Sequence, residues 1–386
     1  MKFGLSTCLS IGLLSTLALF GSAGAEVVVG DRGVSCADDP ACINRLHPDI
    51  PMVAEAGPGE RIVFVGRDAF DLTLDPDEFS SADSMPWEGP GIVHALTGPV
   101  FINGAEAGDV LAVTIEALDP AEVGWTSASA FGFAGDQLGT VERFIVWRIN
   151  DEFAVSDALP GVRIPNASFP GVVTTLPDDT LLADVLARET ALLEQGGAVM
   201  NPDPDEAQPA ALCGAEGTKP SECLRTIPPR EHGGNMDIRY ITTGTTVYLP
   251  CYVDGCGLAV GDFHYAQGDG EVAGTAIEMG GTMTVTTRIV DDPPDLSRGP
   301  HYEGPAAVLG IPSERFYAVT GFPLKEKGKV PADLAYLDSP KIAGLNNLSA
   351  DINLAARNAL AAMIDYIVSE YGYDRTQAYM IASIAV

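Results

Sequence analysis

Thr282-Met-Thr-Val-Thr-Thr-Arg-Ile-Val290 sets the fold class. It is built almost wholly of β-branched residues, and apolar Met283 and Val285 alternate with Thr282, Thr284 and Thr286. That two-residue period is the mark of a strand with one buried face. Arg61-Ile-Val-Phe-Val65, Val110-Leu-Ala-Val-Thr-Ile115, Phe144-Ile-Val-Trp-Arg-Ile149 and Thr245-Thr-Val-Tyr-Leu249 have the same texture and are bounded by turn residues. Asn103-Gly104 between two apolar runs is a turn signal. Helical spacing is rarer. Leu181, Leu182, Val185, Leu186, Leu192 and Leu193 predict a helix over 180–195, stopped at Gly196-Gly197. A second helix is predicted over 350–371, capped by Ser349 or Asp351 and ended by Gly372. Its apolar face is Ile352, Ala355, Ala359, Met363, Ile367 and Tyr371. A short helix over 375–384 follows. The fold class is therefore α+β, mainly β, with the helices late in the chain.

The chain has 386 residues, 46% of them hydrophobic and 19% charged, which is a globular composition with ample material for a core. The net charge of −31 argues against nucleic acid and anionic membrane surfaces as partners. Residues 1–25 read as a signal peptide: Lys2, an apolar run from Phe3 to Phe20, and the small-residue cleavage pattern Ala23-Gly24-Ala25. This predicts an exported protein, periplasmic or secreted, with no membrane contact once the leader is removed. Residues 26–60, rich in Gly, Pro and Asp, read as an arm or loop. Residues 61–230 read as a mainly β part with one helix and a Pro-rich loop, and 231–386 as a β-rich catalytic part with C-terminal helices.

Cys8 leaves with the leader. The remaining cysteines fall in close pairs, Cys36/Cys42, Cys213/Cys223 and Cys251/Cys256. In an exported chain this suggests three local disulfides, though spacing alone leaves other connectivities open. No pair has the tight C-x-x-C spacing of a zinc site.

The densest polar cluster is Arg230-Glu-His-Gly-Gly-Asn-Met-Asp237 with Gly261-Asp-Phe-His-Tyr-Ala-Gln-Gly-Asp-Gly-Glu271. Two of the five histidines lie here among many glycines. In an extended strand Asp262 and His264 point to one face. With Asp237 as a third ligand they could hold Zn²⁺ or another borderline-hard divalent ion, which would polarise a carbonyl oxygen. Glu271 and Glu278 are candidate general bases, and His232 is a further catalytic candidate. Asp68 and His94, near Asp83 and Trp87, read as structural. The chain carries no G-x-S-x-G, no P-loop and no H-E-x-x-H motif, which sets aside the usual serine hydrolases, P-loop nucleotide enzymes and helix-borne zinc proteases.

Thr226-Ile-Pro-Pro-Arg-Glu-His-Gly-Gly-Asn-Met-Asp-Ile238, Val247-Tyr-Leu-Pro250, Gly261 to Glu271 and Ala276-Ile-Glu-Met279 resemble the acetamidase/formamidase family. His94-Ala-Leu-Thr-Gly-Pro99 with Asn103-Gly-Ala-Glu-Ala-Gly-Asp-Val110 resembles its N-terminal signature. Pro160-Gly-Val-Arg163, Phe169-Pro-Gly-Val172 and Ala378-Tyr-Met-Ile-Ala-Ser383 match its middle and end. The resemblance spans roughly residues 60–386. It implies a β-sandwich-like N-terminal part with a later α/β portion, a homo-oligomer, and hydrolysis of the C–N bond of a small aliphatic amide, formamide giving formate and ammonia. It also implies a divalent metal, often zinc, at Asp237, Asp262 and His264, with Glu271 near the chemistry. Two features depart from the family pattern: the leader, where members are commonly cytoplasmic, and the cysteine pairs. Gly233, Gly234 and Asn235 are the expected donors to substrate or oxyanion. The competing expectations are an exported protein that binds small amides without turnover, and a hydrolase of a larger amide on the same fold.

Overall fold

The computed structural model describes residues 26–77, 81–82, 92–128, 132–135, 142–194, 200–296, 299–310, 317, 319 and 352–386. The leader, Asp83, Trp87, Gly196-Gly197, Ser349 and Asp351 lie outside them. The strands that matter for the site are β1 (Val27–Val29), β2 (Arg61–Gly66), β3 (Leu96–Ile102), β4 (Val110–Ala128), β5 (Arg143–Ile149), β6 (Phe169–Thr174), β7 (Gly233–Asn235), β8 (Thr246–Pro250), β9 (Cys256–His264) and β10 (Glu278–Ile289). The long helices are α1 (Asp179–Glu194), α2 (Ile352–Tyr371) and α3 (Arg375–Ala385).

The strand that sets the fold class lies in the middle of a large, mostly antiparallel sheet. β10 pairs antiparallel with β2 on one side and β4 on the other. Its first residues also meet β9, with His264 opposite Glu278. Met283 and Val285 are fully buried, as the alternation requires, while Thr282 and Thr286 are partly exposed. β9 pairs antiparallel with β3 and β6, and β6 with β7. Strands from the earlier and later parts of the chain thus interleave in one sheet, in an α+β, mainly β architecture. The core gathers Phe64, Val100, Leu111, Trp147, Phe263 and Met283 from six of these strands.

Three local differences from the sequence expectation have physical causes. β4 continues to Ala128 through Asp119-Pro120, a stretch with no β propensity. Pairing with β10 carries it, and the register shifts between Met279 and Gly281, where Pro120 sits opposite Gly281. A proline in a sheet is tolerated at such a bulge. The segment 26–60 is mostly loop, yet β1 runs parallel to β2 and Ala54–Ala56 runs parallel to β3. These pairings pin it to the sheet. In α2 the buried face is Leu360, Met363, Ile364 and Ile367, while Ile352 and Tyr371 at its ends are exposed. Gly372 closes the helix at φ +76°, its N–H reaching the Val368 carbonyl at 3.0 Å. Asp374 and Gln377 cap α3 reciprocally. Among the described residues no helix is long and apolar enough to cross a membrane.

All three disulfides form between sequence neighbours: Cys36–Cys42, Cys213–Cys223 and Cys251–Cys256.

Candidate active site

The cluster predicted from sequence assembles where β6, β9 and β10 meet. His264 Nε2 lies 3.1 Å from Glu278 Oε2 and 3.5 Å from Asp262 Oδ1. All three residues are buried. The ring is fixed from behind, with Nδ1 at 2.9 Å from Gln267 Oε1, while Gln267 Nε2 donates to the Asp237 carbonyl at 2.8 Å. Nδ1 therefore carries a proton, and Nε2 points at the carboxylates. Phe169 meets the ring edge to face at 5.0 Å. Glu278 Oε1 accepts the Ala276 N–H at 2.8 Å, which leaves Oε2 for the cluster.

Asp262 and His264 do converge, but not because the strand is extended there. Asp262 has φ +55°, and the β6–β9 ladder skips it, pairing Pro170 with Phe263 and Val172 with Gly261. Room for this comes from Gly171. A Cβ there would lie 2.5 Å from Asp262 Oδ2 and 2.7 Å from Asp237 Oδ1. Asp237 at φ +48° and Glu271 at φ +42° are also left-handed. Half of the six described non-glycine residues with positive φ belong to this cluster. Such backbone is costly and is held where function requires it.

Glu271 lies on the turn 268–274, its carboxylate 3.9 Å from His264 Nε2. With its side chain 16% exposed it is the most open of the three carboxyl groups measured against the ring, Asp262 and Glu278 being at 3–4%. The turn is fastened to α3: Gly268 and Asp269 donate to the Ser383 and Val386 carbonyls, both at 2.7 Å. Ser383 Oγ also accepts from Ala273 N–H and donates to the Thr275 carbonyl.

Charge is unbalanced in the cluster. Asp237, Asp262, Glu271 and Glu278 gather around His264, with a second imidazole, His94, beside Asp262, so full ionisation leaves negative charge in a buried site. Burial and the Asp262 charge push Asp237 up to about 8. Burial pushes Glu278 up to about 7, and burial and Asp237 raise Glu271 well above the usual carboxylate range. Burial opposes protonation of His264, but Glu278 and Asp262 overcome it and hold the ring well above its usual value. Burial would raise Asp262, yet the His94 and His264 rings hold it well below. Asp237 Oδ1 is buried with no hydrogen-bond partner, and Glu278 Oε2 and His264 Nε2 have only each other and Asp262 within reach. Two ligand triples share His264, namely Asp237/Asp262/His264 and His264/Glu271/Glu278. An orphaned acceptor and surplus negative charge fit a divalent cation.

His94 belongs here too, although its sequence reading was structural. The pairing of Leu96 with Gly261 carries it in, and its Nε2 lies 3.8 Å from Asp262 Oδ2. Burial holds its ring below the usual imidazole range. Its place in the His94-Ala-Leu-Thr-Gly-Pro99 signature was the available signal. Asp68 accepts Trp125 Nε1–H at 3.0 Å and the N–H groups of Phe70 and Leu72. His232 is directed elsewhere. The β6–β7 ladder turns its Nδ1 to Thr174 Oγ1 at 2.8 Å, and Arg230 and Glu231 are its nearest charge influences. Burial pushes it down to about 3. Gly233 and Gly234 hold φ near +100°, but the Gly233 N–H is taken up by the Arg230 carbonyl at 3.0 Å. Asn235 Oδ1 is buried and unpartnered.

A mainly β fold that buries a carboxylate–imidazole cluster of metal-ligand type is a setting suited to hydrolytic chemistry. The pattern of the Acetamidase/Formamidase family matches residues 31–386, and the chain belongs to that family. It is 31% identical to an acetamidase from Mycolicibacterium smegmatis, over 88% of this chain and 84% of that protein. It is 30% identical to a formamidase from Methylophilus methylotrophus, over 89% and 82%. The solved structure of a gamma lactamase from Delftia acidovorans is similar with a TM-score of 0.78 and 28% identity, over 94% of this chain and 87% of that one.

Proposed function

We propose that this amide hydrolase uses a divalent metal, zinc by its donor set, to cleave the C–N bond of small linear amides such as formamide and acetamide. The observation that carries the metal is the convergence of Asp237, Asp262, His264 and Glu278 in one place, with the buried Asp237 Oδ1 left without a hydrogen-bond partner. Asp237, Asp262 and His264 would hold the ion, with Glu278 completing the acceptor set. When bound, the ion supplies Lewis-acid polarisation of the amide carbonyl, an electrophile weakened by resonance.

The protein's own residues do the rest. Gln267 holds His264 in the tautomer that presents Nε2. Glu271, on a turn and more open to solvent than Asp262 or Glu278, takes the proton of the attacking water and returns one to the departing ammonia. The backbone N–H of Ala276 keeps Glu278 oriented. The leader and three disulfides support export of the mature protein.

The test is ammonia release from formamide, acetamide and propionamide by chelator-treated protein, before and after zinc is restored. Zinc-dependent release is expected. Full activity in verified metal-free protein would overturn the metal. The likeness to a gamma lactamase favours a second reading, a larger or cyclic amide on the same cluster. Including a γ-lactam in the panel separates the two.

A further inference from the structure

A cavity of ≈ 420 Å³ opens beside the cluster, far more than the three heavy atoms of formamide need. Two contacts place it there. Trp125 in its wall stands directly opposite Glu278 in the β4–β10 ladder, so their side chains share a face with Cβ atoms about 5 Å apart. Gly280, also in the wall, follows Glu278 by two residues along β10. A Cβ at Gly280 would come 3.3 Å from Arg32 Cδ, so glycine leaves the arginine room to line the cavity. On another side Asp68 lines it, and the next residue, Ala69, accepts the N–H of Ala95, neighbour of His94.

The acids in this wall are already committed. Asp68 accepts three hydrogen bonds, Asp71 accepts the Cys36 N–H at 2.7 Å and lies 3.0 Å from Arg67 Nε, and Asp39 accepts from Arg67 Nη2 at 3.0 Å. Two donors remain. Arg67 is 4% exposed, yet its Nη1 has no hydrogen-bond partner. Arg32, which also lines the cavity, makes no ion pair or hydrogen bond among the described residues. Leu72, Leu74 and Val123 supply apolar wall between. A short carbon chain ending in an anionic acceptor meets each of these requirements, since a guanidinium pairs most strongly with a carboxylate.

We propose that this cavity receives the carboxylate end of an elongated substrate, making the preferred amide the monoamide of a short dicarboxylic acid. The amide carbonyl sits at the cluster, a few carbons span the apolar wall, and the carboxylate meets Arg32 and Arg67 Nη1. This deepens the amidase reading and rests on it.

The experiment compares kcat/KM for succinamate with that for 4-methylpentanamide, which replaces the carboxylate with an isopropyl group of similar shape. The wild-type protein should favour succinamate by about tenfold to a hundredfold, the scale of a hydrogen bond to a charged group. Arg32→Leu should bring the ratio to about one, and Arg32→Lys should retain part of it. A wild-type ratio of one or below, or a ratio unchanged in Arg32→Leu, overturns the proposal. Formamide run in parallel reports on the amidase reading separately. If no amide is hydrolysed, the thermal shift with succinate decides. Stabilisation of wild type that is lost in Arg32→Leu supports the cavity's role, and absence of stabilisation sinks it.

Discussion

Asp262, His264 and Glu278 stand on β9 and β10, paired strands deep in the sheet, whereas Asp237 and Glu271 stand outside the strands, Glu271 on a turn. The two groups are fixed by different means. His264 and Glu278 face each other across a ladder, so backbone hydrogen bonds set their separation before any side chain acts. Asp237 and Glu271 have left-handed backbone and depend on distant contacts: Asp237 on Gly171 and Gln267, Glu271 on α3. The ladder half is suited to a rigid seat for an ion. Glu271, on the turn and partly open to solvent, is suited to moving a proton, while Asp237 reaches across to the ion's seat.

Removing a member of each half should give different failures. His264→Ala takes the only imidazole between Asp262 and Glu278 and should lose both metal and activity. The expected fall in kcat/KM is about 10³-fold or more, the several kcal/mol that Lewis-acid polarisation supplies. Wild-type metal content in that variant, measured by elemental analysis, would show that the ladder half is not the seat. Glu271→Gln should keep the metal and lose about 10²–10³ in kcat, the range of general acid–base catalysis. Metal loss in Glu271→Gln would erase the distinction between the halves.

Chelation sharpens the comparison through pH. Asp237 near 8 and Glu278 near 7 are raised far above the values of about 4 expected for unfolded carboxyls. The folded, metal-free protein therefore binds more protons than the unfolded chain between about pH 4 and 8. The raised His264 acts in the same direction, its stabilising charge being lost as pH rises. Stability should fall across this window, and added zinc should flatten the slope. Melting temperatures at several pH values, with chelator and with zinc, measure it. A chelated protein that gains stability as pH rises would contradict the charge surplus.

Much of the ladder half was legible in the sequence. Asp262-Phe-His264 sits in a strand, and Glu278 opens the run toward the alternating stretch. The reason given for their convergence was incomplete, however. The extended geometry fails at Asp262, and the gap is supplied by Gly171, ninety-one residues earlier in the chain. His94 was hidden for the same kind of reason. It reaches Asp262 only through the β3–β9 register, and no local period encodes a partner so far along the chain. His232 shows the converse. It lies in the densest motif, but strand pairing aims it at Thr174. The disulfides were legible because each closes a short loop whose ends cannot separate far.

α3 provides the smallest and most specific test. Ser383 Oγ accepts the Ala273 N–H at 3.1 Å and donates to the Thr275 carbonyl at 2.7 Å, closing the turn that carries Glu271. Ser383 is fully buried, so Ser383→Ala leaves two backbone groups without their partner. Such a loss costs about 1–3 kcal/mol of stability. None of these contacts touches β9 or β10. Metal content should therefore hold while kcat falls by about tenfold, because a misplacement well below a bond length already weakens proton transfer. Reduced metal occupancy in Ser383→Ala would mean that the turn supports the ion seat as well, and the two halves would then be one unit. Unchanged kcat at lowered melting temperature would mean that Glu271 is held by the turn itself, with α3 contributing only to the fold.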